Sequence, residues 1–233
     1  MRKFLFFEAI FFSFIFLSLS GEENIAVPRT IRELPENTSY IHGASSLRFP
    51  PVIASYKKIS VTENANPVYG TVIRYSGSYG ESADIYIYSD DTSSSPIEEK
   101  KLKEEYEKTK SALLKGFSNF SGSNPTPAKE EIKFLKEEKI QSSGITSEIY
   151  KSSFQYFLAG SRYDSTLLLF LIKNPAKKSD RKKTFAKFLK IRLSRPSEVS
   201  SGSADGEKFL KELLEKVIFP PALSSAGKNA PAK

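Results

Sequence analysis

Ala83-Asp84-Ile85-Tyr86-Ile87-Tyr88 is the stretch that decides the fold. Its residues alternate, so Ala83, Ile85 and Ile87 share one face of an extended strand while Asp84, Tyr86 and Tyr88 share the other. Upstream, Gly77-Ser78-Tyr79-Gly80 supplies hairpin chemistry, because glycine accepts φ > 0. Val68 to Tyr75 then reads as the strand on the far side of that turn. Val52 to Val61 reads as the strand before it, with Pro50 and Pro51 fixing its start.

Downstream, the pattern changes to a helix. Ser95 is placed to cap it, Pro96 suits the first helical position, and Glu98 closes a capping box three residues after Ser95. The spacing predicts a helix to about Leu114, ending at Gly116, with Leu102, Tyr106, Leu113 and Phe117 near one stripe. Ile132 to Gln141 fits either a strand or a further helical turn. Ile145 to Leu158 is rich in β-branched and aromatic residues and predicts a strand. Thr166-Leu167-Leu168-Leu169-Phe170-Leu171-Ile172 lacks alternation, which predicts a central strand buried on both faces. Thr184 to Leu193 predicts the next strand, and Asp205 to Val217 a final helix with Phe209, Leu210, Leu213, Leu214 and Val217 on one apolar face.

The expected order is βββαββββα. Short turns between most strands imply antiparallel pairing, since parallel neighbours need long crossovers. The predicted fold class is therefore α+β: an antiparallel sheet of about seven strands with two main helices packed on it. Phe49-Pro50, Tyr56, Gly70-Thr71-Val72-Ile73-Arg74-Tyr75 and Ala83 to Tyr88 carry a resemblance to exported bacterial proteins of no assigned function. The order of elements is also similar to the antiparallel α/β sandwich of the photosystem II extrinsic PsbP-like proteins. That resemblance covers about 70 residues, implies the fold, and brings no catalytic residue with it.

The chain begins as an export signal. Arg2 and Lys3 precede the apolar run Phe4 to Leu19, and Ser18-Leu19-Ser20 offers small residues for cleavage before Gly21. Glu8 and the shortness of the run argue against a permanent span, which wants roughly 20 apolar residues. The expected organisation is a signal peptide over 1–20, a polar leader over 21–48, one domain over 49–219 and a disordered tail over 220–233. The expected destination is the periplasm or the exterior of a bacterium, with the signal cleaved near Ser20-Gly21.

The chain has no cysteine, which excludes disulfides, thiolate metal sites and a cysteine nucleophile. Lys and Arg number 35 against 27 Asp and Glu, a formal +8. Such a surplus favours anionic partners. The densest basic run is Lys177, Lys178, Arg181, Lys182 and Lys183, continued by Lys187, Lys190 and Arg192. On a strand from Thr184, Phe188, Lys190 and Arg192 share one face. This gives a basic hairpin suited to anionic lipid or an envelope polymer, where each cation near a lipid surface contributes about 1 kcal/mol. The plainer reading is a solvated loop whose lysines discourage edge aggregation. Nucleic acid does not fit an exported chain.

Catalytic material is sparse. His42 is the only histidine, and it lies in the leader, so neither a serine triad nor a zinc site has its usual parts. No phosphate-binding loop, dinucleotide fingerprint or nucleophile elbow occurs, and no cofactor or metal is expected. Asp84, Asp90 and Asp91 cluster around the end of one strand, but Asp90 and Asp91 read as a turn before the helix cap. Asp84 shares its face with Tyr86 and Tyr88, a combination that lines a polar groove or a half-covered sheet. The sequence thus points to an exported, non-enzymatic binding domain with Asp84, Tyr86 and Tyr88 as candidate ligand contacts. The alternative is a hydrolase using carboxylates near Asp84, without histidine or cysteine.

Overall fold

The computed structural model describes residues 29–32, 37–65, 69–89, 97, 99–118, 132–141, 148–158, 160–173, 186–199 and 202–218. The signal peptide, the Ser95 cap, Asp90 and Asp91, the basic run Lys177 to Lys183 and the tail after residue 219 lie outside the described residues.

The architecture is an antiparallel α+β sheet with two helices. The count and order of strands differ from the reading of seven. Four short strands come first: β1 (Arg29–Arg32), β2 (Tyr40–Ile41), β3 (Arg48–Phe49) and β4 (Val52–Ile53). They are followed by β5 (Tyr56–Asn64), β6 (Thr71–Ser76), β7 (Ser82–Tyr88) and helix α1 (Glu99–Ser118). Then come β8 (Lys133–Gln141), β9 (Glu148–Leu158), β10 (Ser161–Lys173), β11 (Ala186–Pro196) and helix α2 (Gly202–Glu212), which continues as a π-helical turn, Leu213–Ile218. The main sheet runs β1-β5-β6-β7-β11-β10-β9-β8, with β4 also on β5, while β2 and β3 form a separate pair.

The chain enters this sheet earlier than the sequence boundary at Phe49. Arg29–Arg32 already pairs with β5, Tyr40 stacks on Phe49 with ring centroids 6.3 Å apart, and Lys58 donates to the Thr38 carbonyl at 2.6 Å. Apolar residues there are too few to show a period, so the leader reads as loose although its anchors are long-range. Ile132 to Gln141 resolves as the strand β8 (Lys133–Gln141), because its backbone pairs with β9 on both sides of an irregularity between Phe134 and Lys136. Helix α1 runs past Gly116 to Ser118, since a lone glycine costs a helix only about 1 kcal/mol.

The topology is two meanders meeting in the middle. β5, β6 and β7 step inward from the β1 edge, and α1 then carries the chain to the opposite edge, where β8 begins a return that ends with β11 against β7. Gly70 makes the β5–β6 turn possible. Its φ is +59°, and a Cβ there would run into the Ile87 carbonyl oxygen, so no other residue fits.

The helices lie on opposite faces. Helix α2 and its π-turn bury Phe209, Leu213, Val217 and Ile218 against Ile73, Ile85, Ile87, Leu189, Ile191 and Phe170. The wide π-turn keeps Leu213, Val217 and Ile218 on one side. Helix α1 buries Leu102, Tyr106 and Leu113 against Tyr86, Tyr88, Phe154, Leu169, Leu171 and Phe188. Coverage on both sides explains why Leu167 to Ile172 carries no alternation: every one of those side chains is buried.

Candidate functional site

Alternation places Asp84, Tyr86 and Tyr88 on the α1 face of β7, and the structure covers that face. All three are buried, at 5%, 9% and 9% exposure. The neighbours come from register. Asp84 stands opposite Arg74 on β6 and opposite Arg192 on β11, while Tyr86 stands opposite Lys190 and Tyr88 opposite Phe188. One buried face of the central sheet therefore carries Arg74, Asp84, Lys190 and Arg192 beside two tyrosines.

The contacts follow from that placement. Arg74 Nε donates to Asp84 Oδ1 at 2.6 Å, a charge-assisted bond within a sheet pair. Burial opposes the Arg74 charge, yet the Asp84 carboxylate and their hydrogen bond outweigh it and raise its pKa further. Burial raises the Tyr86 phenol well above its usual range, and the neighbouring Asp84 charge adds to this. Tyr88 is raised likewise, first by burial and then by Glu105 of α1, to which its hydroxyl donates at 2.9 Å. Lys190 Nζ lies over the Tyr86 ring at 4.5 Å and the Tyr88 ring at 5.1 Å. Arg192 lies over the Tyr156 ring at 5.3 Å, and Tyr156 stacks on Tyr163 at 5.2 Å. Ser165 and Ser194 share a hydrogen bond of 2.8 Å beside them.

The sequence does place Phe188, Lys190 and Arg192 on one face. It does not show that this face turns inward. Read along the chain, Lys190 and Arg192 extend a basic surface run; in the fold both are 4% exposed. Arg74 and Glu105 carry no local signal at all, because their roles depend on cross-strand register and on where α1 lands.

His42 is held firmly. It is buried in the loop joining β2 to β3, with Nδ1 2.6 Å from Ser45 Oγ. Burial first, and the Lys187 charge second, lower its pKa to about 4, with Glu63 opposing. A neutral ring bonded three residues along the same tight loop braces that loop. Among the described residues no group of three or more His, Asp or Glu side chains is arranged to hold a metal, and no helix is long and apolar enough to cross a membrane.

Fold and site together define a class: a cysteine-free antiparallel α+β domain with a polar core beneath one helix. No family model matches the chain, and no curated protein matches it.

Proposed function

We propose that the protein is an exported bacterial envelope protein whose domain binds a ligand or partner without catalysing a reaction, using the face of Asp84, Tyr86 and Tyr88. One observation supports this reading most. The centre of the sheet places two guanidiniums, an ammonium and several phenols where aliphatic side chains would stabilise the fold better. Such groups suit recognition of a polar, anionic ligand. The hydrolase alternative draws less support, because Asp84 already engages Arg74 and stands between two arginines instead of beside a second acid. In the same proposal the basic run Lys177, Lys178, Arg181, Lys182 and Lys183 docks the domain on anionic lipid or envelope polymer.

Native mass spectrometry of protein taken from the envelope fraction tests the binding face. A bound small molecule is expected on the wild type and not on Arg192→Leu; bare protein in both would overturn the reading. N-terminal sequencing of the same material is expected to begin near Gly21, and an intact Met1 would overturn the cleaved signal. Neutralising the five basic residues is expected to abolish salt-sensitive sedimentation with anionic vesicles; unchanged sedimentation removes that part.

A further inference from the structure

Residues 48–53 run antiparallel past the start of β5, and alternation sorts the side chains there into two sets. Phe49, Ile53, Tyr56 and Lys58 are buried, while Arg48, Val52, Lys57 and Ile59 stand out in solvent. The β5 bulge between Lys58 and Ser60 makes Ile59 the extra residue, unpaired with β6 and turned outward. In both short ladders an exposed aliphatic stands opposite an exposed cation: Val52 opposite Lys57, and Ile41 of β2 opposite Arg48 of β3. Ile41, Val52 and Ile59 are 60%, 47% and 54% exposed, far more than the other aliphatic residues of these strands.

Lys58 ties the corner together. Its Nζ donates to the Thr38 carbonyl just before β2 at 2.6 Å and to the Phe49 carbonyl of β3 at 3.3 Å. Tyr75 donates to the Pro50 carbonyl at 2.7 Å, so the outward set is held on a fixed backbone. Two carboxylates that touch these strands are engaged: Glu63 by the Tyr40 hydroxyl at 2.6 Å, and Glu212 by Lys216 at 2.9 Å and the Ala54 amide at 3.4 Å. Along the next stretch of the same β5 edge, β1 carries two more basic residues, Arg29 and Arg32.

We propose that this corner is a membrane-contact surface, where Ile41, Val52 and Ile59 enter the acyl boundary of an anionic bilayer and Arg48 and Lys57 reach its phosphates. The chemistry selects lipid over protein. A protein interface gathers aromatic residues at its centre and is poor in lysine. This corner interleaves branched aliphatics with cations, which is the composition of an interfacial lipid contact. It shares an anionic partner with the function proposed above, but uses neither the run Lys177 to Lys183 nor the face of Asp84.

Because the chain has no cysteine, single labels can read insertion position by position. An environment-sensitive dye is attached to the full mature protein at Ile41→Cys, Val52→Cys or Ile59→Cys. Each is expected to shift to the blue when phosphatidylglycerol vesicles are added. The same dye at Leu114→Cys, on the 47% exposed position of α1, is expected to stay unchanged. In Arg48→Gln/Lys57→Gln the partition read by the Ile59→Cys label should fall about thirtyfold, at roughly fivefold per cation. Ile41→Ser/Val52→Ser/Ile59→Ser should keep a near wild-type urea midpoint and sediment with the same vesicles at least about tenfold more weakly.

Unshifted labels at the three positions would overturn the proposal, as would an equal shift at Leu114→Cys or an equal response to pure phosphatidylcholine. An unchanged partition in Arg48→Gln/Lys57→Gln, or unchanged sedimentation of the triple serine variant, would do the same. A shift with an envelope extract but not with pure vesicles would assign the corner to a protein partner and remove the lipid. Unchanged sedimentation after neutralising Lys177 to Lys183 would leave this result standing, so the two lipid contacts fail separately.

Discussion

The two faces of this sheet are built from unlike materials. The α2 face is an aliphatic core around Ile73, Ile85, Ile87, Leu189 and Ile191, centred on Phe209, whose ring lies 4.6 Å from Tyr56 and 5.5 Å from Tyr75. The α1 face also buries Leu102, Leu113, Phe154, Leu169 and Phe188, but mixes with them several tyrosines, Asp84, Lys190 and Arg192, with Arg74 partly buried beside Asp84. Burial of apolar area contributes about 25 cal/mol per Å² and asks nothing of its partners. Buried charge must be matched by geometry, and is strongly destabilising once a partner is removed. The α2 face is therefore the drier of the two, while the α1 face mixes its own apolar cluster with charges that must be matched.

The largest effect is expected on the aliphatic α2 face. Phe209→Ala is expected to cost about 3–5 kcal/mol in urea unfolding, since it removes the ring between Tyr56 and Tyr75. A loss under about 1 kcal/mol would show that α2 is not the main source of stability. Next, Asp84→Asn should cost about 3 kcal/mol, because Arg74 and Arg192 then lose the carboxylate between them. Replacing Arg74 and Asp84 together with methionine and leucine should recover most of that. If the double replacement is worse than the single one, the α1 face is a structural core like the other.

The native His42 ring, at about 4, holds its proton less tightly than an unfolded ring at 6.5. The unfolded chain thus binds protons first as pH falls, and stability is expected to drop by at most about 3 kcal/mol between pH 6.5 and pH 4. His42→Asn should flatten that window when urea midpoints are compared across pH. Smallest of all, Lys110→Ala removes a partly exposed ion pair with Glu137 and should cost about 0.5 kcal/mol, mostly lost in high salt.

Much of the fold was legible because its signals are local. The alternation of Ala83 to Tyr88 set two unlike faces, and the spacing of Phe209, Leu213 and Val217 set the buried stripe of α2; all three of these side chains are buried. The short early strands were not legible. Tyr40 and His42 are held by partners distant in the chain or by one tight loop, and neither leaves a period. The candidate site was half legible. Asp84, Tyr86 and Tyr88 share a face as alternation requires, but their burial under α1 depends on a helix that crosses from the middle strand to the far edge.

What the sequence determined by itself is the periodicity of each segment and the chemistry each face would carry: an isoleucine side, a tyrosine side, no cysteine, a basic surplus. Which face would be dry, which charges would be buried and which would meet was decided only by tertiary structure. Lys190 shows why. Period two fixes that it lies on the same side as Phe188 and Arg192, and that relation is set by the backbone alone. Whether that side faces water or a helix depends on strand order. Strand order is chosen by the burial of the whole sheet, and no single segment holds that information.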